Sequence, residues 1–443
     1  MKKIVIAENP SIAVGRLLDA GFEAGVVGGC VRDALLGLEP SDWDICTSAE
    51  PGEVLEVFSG FRIIETGLKH GTVTVVINGE NIEISTFSIG GAFTKSLAED
   101  LNRRDFTMNA IFYNDSCGIV DPFNGAADIE GRTIRCVEAA DDRFREDPLR
   151  ILRAIRFSSV LGFSIESSTR EAMFRNTTLL SKVSCERVSS EFIKMLSGKN
   201  CSVMCGFADI IAFVIPEMKA TIGFDQKNAY HPHDVWTHTV LAACSSDDLS
   251  VRLAMFFHDI GKPRCYSVDD SGVGHFYGHA EVSARMAEEI FRRLRFTAAE
   301  GIDKGMLEDV AELIELHDTD VAPAKKSVRR MLSKLGGRPD QFRRYLQARR
   351  ADVLAQAAGK AASRLEGLEA LEKIFEEVVA EKACLTLKDL AVSGSDVMAS
   401  GVEKGADVGI VLRKLLEMVI DNPEINTREK LLGKIYEMKH PPD

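Results

Sequence analysis

The chain has 443 residues, 45% of them apolar, enough for two to four domains with ordinary cores. No apolar run approaches the ~18–20 residues of a membrane-spanning helix, and a net charge of −13 excludes a nucleic-acid surface spread over the whole chain. Ten scattered cysteines without a CxxC pair predict free thiols and a cytoplasmic protein, and the opening MKKIVIAENP is too short in apolar residues for a secretory leader. Residues 20–137 then mix short β-like runs with turns. EAGVVGG, WDICTS, GTVTVVING, NIEISTF, NAIFYN and TIRCV read as strands, and CVRDALLG and PGEVLEVFS as helices between them. Asn78-Gly79 predicts a hairpin turn. Beyond TIRCV the strand signals stop, and DPLRILRAIRFSSVLGF, CERVSSEFIKMLSG, HAEVSARMAEEIFRRLRF and GADVGIVLRKLLEMVIDNP place apolar residues at helical spacing. The predicted class is α+β, a small mixed-sheet head on a long helical body.

The head carries the first chemistry. Gly28 and Gly29 stand between a strand and a helix, where glycines let backbone amides approach a phosphate, and Arg32 and Asp33 follow at once. Asp42 and Asp44, two apart on a predicted strand, direct both carboxylates to one face, roughly 6–7 Å apart at their Cα atoms. Such a pair calls for a divalent cation, and Glu83 in NIEISTF offers a third carboxylate from a neighbouring strand. The alternative is that Asp42 caps a turn and Asp44 simply faces solvent. In RRDFTMNA, Arg104 and Asp105 lie beside an apolar strand within reach of a ribose. DPFNGAADIEGRTIR is turn chemistry, with structural roles as good as catalytic ones.

Further along, REDPLRILRAIRF spaces Asp147 and Arg150 i, i+3 on one predicted helix. An aspartate accepts and an arginine donates, a pairing that suits cytosine and adenine and rejects uracil and guanine. An ordinary surface ion pair explains the same spacing. Residues 325–350 hold ten Lys and Arg against one acid, Asp340, a stripe able to track a polyanion or to be a solvated helix face. Downstream come His238, the adjacent His258-Asp259, His279, His317 and Asp352. Single helical histidines are usually packed core residues. A His-Asp pair on an apolar helix is different, because a desolvated unpaired aspartate is expensive, and mixed imidazole and carboxylate donors suit a transition metal.

The ordered set GGCVRD, Asp42-x-Asp44, RRDFTMNA, DPFNGAADI and EDPLR resembles the bacterial CCA-adding tRNA nucleotidyltransferases and their poly(A) polymerase relatives, of the DNA polymerase beta superfamily. The resemblance implies a polymerase-beta-like head, template-free transfer of CMP and AMP from CTP and ATP to a tRNA 3′ end, and Mg²⁺ at Asp42 and Asp44 with Glu83 as a further catalytic carboxylate. It implies nucleotide binding by Gly28, Gly29, Arg32, Asp33, Arg104, Asp105, Asn109, Glu146, Asp147, Arg150, Arg153 and Arg156. SCERVSSEF resembles the next helical motif, with Arg187 in the neck. One departure stands out. Ser88 occupies a place where the family has arginine, and the segment SIGGAFTKSLAEDLNRRDFT is shorter than the family's flexible loop. A loss there is associated with enzymes that stop after two cytidines and leave the last A to a separate partner.

HDIGKP with the surrounding histidines resembles the HD phosphohydrolase superfamily. That implies His238, His258, Asp259 and Asp352 as ligands to Ni²⁺, Mn²⁺ or another transition metal, with His279 and His317 holding a second ion or a phosphate. The expected division is a nucleotidyltransferase head at 1–137, a helical neck at 138–222 binding RNA and base, an HD domain at 223–356 and a helical tail at 357–443. The competing readings are an HD phosphohydrolase with a vestigial head and a poly(A) polymerase, although EINTREKLLGKIYEMKHPPD lacks the long basic tail of the latter.

Overall fold

The computed structural model describes residues 3–64, 67–68, 71–227, 232–356 and 358–440. The chain divides into two compact units, Met1–Val214 and Ile215–Asp443.

The first unit begins α1 (Glu8–Asp19), β1 (Ala24–Val27), α2 (Gly29–Leu35), β2 (Ile45–Thr47), α3 (Pro51–Val57), β3 (Arg62–Ile64), β4 (Thr72–Ile77) and β5 (Glu80–Thr86). After a small hairpin, β6 (Ser88–Ile89) and β7 (Ala92–Phe93), come α4 (Leu97–Asn102), β8 (Phe112–Asn114), β9 (Gly118–Val120) and α5 (Gly125–Glu130). The main sheet is seven-stranded in the order β3-β4-β5-β2-β1-β8-β9, mixed because β2 and β5 pair parallel while its other pairs are antiparallel. The β4–β5 hairpin turns on Asn78 (φ 50) and Gly79 (φ 86), both left-handed as a type I′ turn demands. Alternation then buries Val73, Val75 and Ile77 opposite Ile84, Ile82 and Glu80, with α1 and α3 packed on the sheet.

The strand predicted over WDICTS starts only at Ile45, so Asp42 and Asp44 precede β2 rather than lie within it. Continuing the parallel register Ile45↔Ile84 by one residue sets Asp44 level with Glu83. The rest of the unit is mostly helical: α6 (Ala140–Glu146), α7 (Leu149–Leu161), α8 (Ser167–Arg175), α9 (Cys185–Leu196) and α10 (Ala208–Val214). The helix predicted from Asp147 begins instead at Leu149. Pro148 disfavours helical backbone in the residue before it, and Asp147 is extended at φ −140, ψ 98. Asp147 and Arg150 therefore do not share a helical face. Strand pairing does not stop where the sequence signal does, since β10 (Thr133–Ile134) pairs with β11 (Ser164–Ile165).

In the second unit, α11 (Val235–Cys244), α13 (His279–Arg293), α14 (Lys304–Leu316) and α16 (Pro339–Leu354) pack around the apolar α12 (Leu249–Phe257), and α15 (Lys325–Lys334) packs on α16. A short hairpin, β12 (Ser267–Val268) and β13 (Gly274–His275), precedes α13. Then follow α17 (Ala358–Ala380), α18 (Gly394–Ala399), α19 (Ala406–Asp421) and α20 (Arg428–Lys439). The last three share an apolar cluster that includes Val397, Leu415, Val419, Leu431 and Ile435. Among the described residues no helix is long and apolar enough to cross a membrane. Cys30, Cys46, Cys117, Cys136, Cys185, Cys265 and Cys384 are free thiols.

Candidate active site and metal centre

Gly28 joins β1 to α2 at φ +83, a conformation that L side chains rarely adopt. Its amide is already bonded to the Ile111 carbonyl at 3.1 Å, so it is not free for a phosphate. A Cβ there would lie 3.1 Å from Arg104 Nη1. Gly28→Ala is therefore expected to cost about 1 kcal/mol or more in backbone strain and to raise the nucleotide KM by displacing Arg104; thermal unfolding and CTP kinetics check the two effects separately.

Val27 donates its amide to the Asp44 carbonyl at 3.0 Å, which ties the aspartate pair to the end of β1. Desolvation raises the Asp44 carboxyl above the ordinary carboxylate range; Arg104 opposes this and Asp42 adds to it. Asp42 accepts a short-range bond from Ser41, and Glu83 is exposed on β5. Asp42, Asp44 and Glu83 are not among the groups of three ligands that converge within 4.8 Å in the described residues.

Behind this pair lies a buried polar network. Arg32 binds Asp33 at 2.8 Å and donates to Asn109 at 2.8 Å. Asn109 donates to Asp105 at 3.0 Å, and Arg153 donates to the same carboxylate at 2.6 and 2.8 Å. Burial alone would raise Asp105, but Arg153, Asn109 and the Phe106 amide hold it below its ordinary value. Asp105 thus anchors arginines from inside; the open ribose contact expected from RRDFTMNA is not its resting environment. Arg156 approaches Glu191 at 3.0 Å, and the Arg32, Arg153 and Arg156 guanidiniums all lie within 4.2–5.3 Å of the Phe157 ring centre.

The Asp147 and Arg150 side chains have different partners. Asp147 accepts from Arg187 at 2.8 Å, while Arg150 binds Glu146 at 3.0 Å and donates to the Arg103 carbonyl at 2.5 Å. Arg150, Glu146, Arg143 and Arg103 line a cavity of about 440 Å³ closed on another side by Ile89 and Gly90 of the β6–β7 hairpin. Sequence spacing missed Arg103, Arg143 and Glu191 as partners, because carbonyl and long-range ion-pair contacts leave no periodic trace.

The second unit assembles its predicted ligands. His238, His258 and Asp259 form one converging group, and Asp259, His279 and His317 another, so Asp259 belongs to both. Asp352 sits 3.0 Å from His238 Nε2. Each histidine turns Nδ1 to a backbone carbonyl: His238 to Ala355 (3.3 Å), His258 to Met255 (2.6 Å), His279 to Phe276 (2.8 Å) and His317 to Ile314 (2.6 Å). A carbonyl only accepts, so Nδ1 carries the proton and Nε2 is aimed inward as a donor atom to a metal. His279 and His317 Nε2 are only 3.1 Å apart, and the buried Asp259 carboxylate faces His258 Nε2 at 3.2 Å and His279 Nε2 at 3.3 Å. Such an arrangement needs a cation. Burial alone would lower His258, but Asp259 and Asp352 raise it to about 9; burial and the charge of His258 push His317 down to about 3. Lys262, three residues after Asp259, binds it at 2.6 Å and was not singled out by the sequence reading.

The basic stripe at 325–350 proves to be internally neutralised. Lys325 pairs with Glu377 and Glu381, Lys326 and Arg330 with Asp421, Arg338 with Asp309 and Glu312, Arg343 with Asp340 and Glu376, and Arg350 with Glu372. These pairs are largely exposed, so a polyanion on the stripe would have to exchange with carboxylates of its own and other helices. Replacing Lys325 and Arg343 with alanine is expected to leave the salt dependence of RNA binding unchanged, whereas a phosphate-contacting pair would reduce the slope by about two.

A mixed sheet offering paired aspartates, followed by helices with buried arginines, has the architecture of a nucleotidyltransferase head, and the second unit contains a histidine-aspartate cluster of HD type. Family models agree along the chain: the poly A polymerase head domain matches residues 24–135, the probable RNA and SrmB-binding site of polymerase A residues 162–205, and the HD domain residues 228–361. Both kinds of domain work with metal ions. A CCA-adding enzyme of Limosilactobacillus fermentum is 30% identical over 441 residues, covering 96% of this chain and 95% of that one. The chain belongs to the CCA-adding enzyme family. A CCA-adding enzyme of Lactobacillus delbrueckii subsp. bulgaricus is 46% identical over 213 residues, a match that spans 46% of this chain and about half (53%) of that relative's length. The crystal structure of Bacillus stearothermophilus CCA-adding enzyme in complex with CTP aligns over 97% of both chains at 29% identity and a TM-score of 0.72. The Thermotoga maritima CCA-adding enzyme complexed with tRNA, at 20% identity and a TM-score of 0.60, shares the fold.

Proposed function

We propose that the chain is a tRNA 3′-end nucleotidyltransferase, adding CMP and AMP from CTP and ATP without a template, and that its HD unit is a metal-dependent phosphohydrolase. The observation that carries the first part is that Asp42 and Asp44 stand just before β2, with Asp44 level with Glu83 and under the charge of Arg104. Two carboxylates with no third convergent ligand suit Mg²⁺, which is commonly held by one or two carboxylates together with substrate phosphates. Bound there, Mg²⁺ supplies charge stabilisation at the α-phosphate and activates the attacking 3′-hydroxyl. Arg104, set by its bond to Asp100, faces the triphosphate, and Arg32, Arg153 and Arg156 supply the positive surroundings.

Base reading falls to Asp147 and Arg150, which must exchange their present partners for cytosine or adenine. Arg187 is about half exposed (52%), so the exchange at Asp147 gives up a pair worth only about 0–1 kcal/mol, whereas Arg150, 14% exposed, releases the Arg103 carbonyl as well as Glu146. We assign the head to 1–137, the RNA-holding neck to 138–222, the HD domain to 223–356 and the tail to 357–443. In the HD domain His238, His258, Asp259 and Asp352 hold one transition-metal ion, and His279 and His317 share Asp259 with a second.

A second reading is favoured by the β6–β7 hairpin, which is closed tightly on Gly90 and Gly91 where the family has a longer loop. On that reading addition stops at CC and a separate enzyme supplies the A. Incubation with a tRNA lacking its 3′ end, with CTP alone and with CTP plus ATP, tests both at nucleotide resolution. Three additions with both nucleotides support the full reaction, and a halt at two supports the shorter one. No addition, or an extended A tract, overturns both.

A further inference from the structure

Asp100 lies on α4, its side chain fully buried, and belongs to none of the sites assigned above. Its Oδ1 accepts the Ser88 amide at 3.1 Å and Arg103 Nε at 2.9 Å; its Oδ2 accepts Arg104 Nη2 at 3.2 Å. A buried carboxylate survives only when paired and hydrogen-bonded in this way. Each of the three donors leads to a different part of the nucleotide site. Ser88 opens the hairpin whose Ile89 and Gly90 wall the cavity beside Arg150. Arg103 presents the carbonyl that receives Arg150 Nη2 at 2.5 Å. Arg104 turns Nη1 toward Gly28, and its charge acts on Asp44.

We infer that Asp100 is a positioning residue for nucleotide selection: one buried carboxylate that sets Arg150 through Arg103 and the hairpin, and sets Arg104 over the carboxylate pair. Glutamate has no space at a fully buried position, and asparagine turns an N–H₂ toward a guanidinium, so either substitution releases at least one arm. This rests on the reading of the head as a nucleotidyltransferase.

Single-turnover CMP and UMP incorporation into a tRNA lacking its end, with inorganic triphosphate as a competitor, tests it in the full-length protein. Asp100→Asn is expected to lower the CTP-to-UTP preference in kcat/KM roughly tenfold or more, the scale of a lost recognition hydrogen bond, and to weaken triphosphate inhibition. Arg103→Gln alters a side chain that is 40% exposed and so preserves the fold. It cuts only the arm toward Arg150, and is expected to lower the preference while leaving triphosphate inhibition unchanged. A purely structural role moves the melting temperature without moving the preference. Folded variants that bind tRNA and keep the wild-type preference within about twofold, well below the loss of one hydrogen bond, overturn the inference; if Asp100→Asn does not fold, Arg103→Gln alone decides. A wild type that transfers no CMP overturns the underlying reading instead.

Discussion

Asp44→Ala is expected to abolish nucleotide transfer while leaving the fold as stable as before, or more so. The carboxyl is raised above its ordinary value by desolvation, so the folded state binds the proton more tightly than the unfolded chain does. A carboxylate raised in this way opposes folding at neutral pH, and deleting it removes that opposition. The backbone contact that fixes the position, Val27 N–H to the Asp44 carbonyl, survives in alanine. Loss of a preorganised charge stabiliser from a phosphoryl-type transition state costs on the order of 10²–10³-fold in rate, and loss of a metal ligand adds to it. Stopped-quench incorporation beside thermal unfolding measures both quantities. Undiminished transfer removes this pair from the reaction; a collapsed fold makes Asp44 a structural residue.

Asp259→Asn is expected to empty the HD centre. Asp259 is the one residue common to both convergent groups, so one substitution weakens both positions, by about 10–100-fold or more in affinity on the scale of even outer-shell changes. It also leaves Lys262 and the raised His258 without their buried anion, a loss of about 3–5 kcal/mol in stability. CMP transfer by the head is expected to persist. The pH dependence has a definite sign. A metal ion at His258 must displace a proton held up to about 9, so affinity rises with pH up to about 9 and levels off above it. Metal content after dialysis and calorimetric titration across that range check this, and affinity independent of pH contradicts it.

The elements that were legible in the sequence are those whose signal is local. Asn78-Gly79 dictated its own turn, and the alternation of β4 and β5 dictated which face is buried. The convergence of His238, His258 and Asp259 was legible from a His-Asp pair in an apolar run, although α12 ends at Phe257 and Asp259 lies just beyond it rather than on the helix. Charge runs were the least legible. The 325–350 stripe looked like a polyanion track because its counter-ions, Glu372, Glu376, Glu377, Glu381 and Asp421, lie on other helices far along the chain. Asp147 and Arg150 were read as one helical face because helical periodicity ignores Pro148. Asp105 was read as a ribose ligand because its strongest partner, Arg153, lies 48 residues further along the chain.

The central claim is that side chains of this protein stand in for a template base. The most direct measurement is incorporation of each of the four nucleotides into a tRNA lacking its 3′ end, by the wild type and by Asp147→Ala. CMP is expected in the first positions, with UMP and GMP excluded by the wild type and that exclusion lost in the variant. Equal use of all four nucleotides by the wild type, or an unchanged pattern in Asp147→Ala, contradicts it.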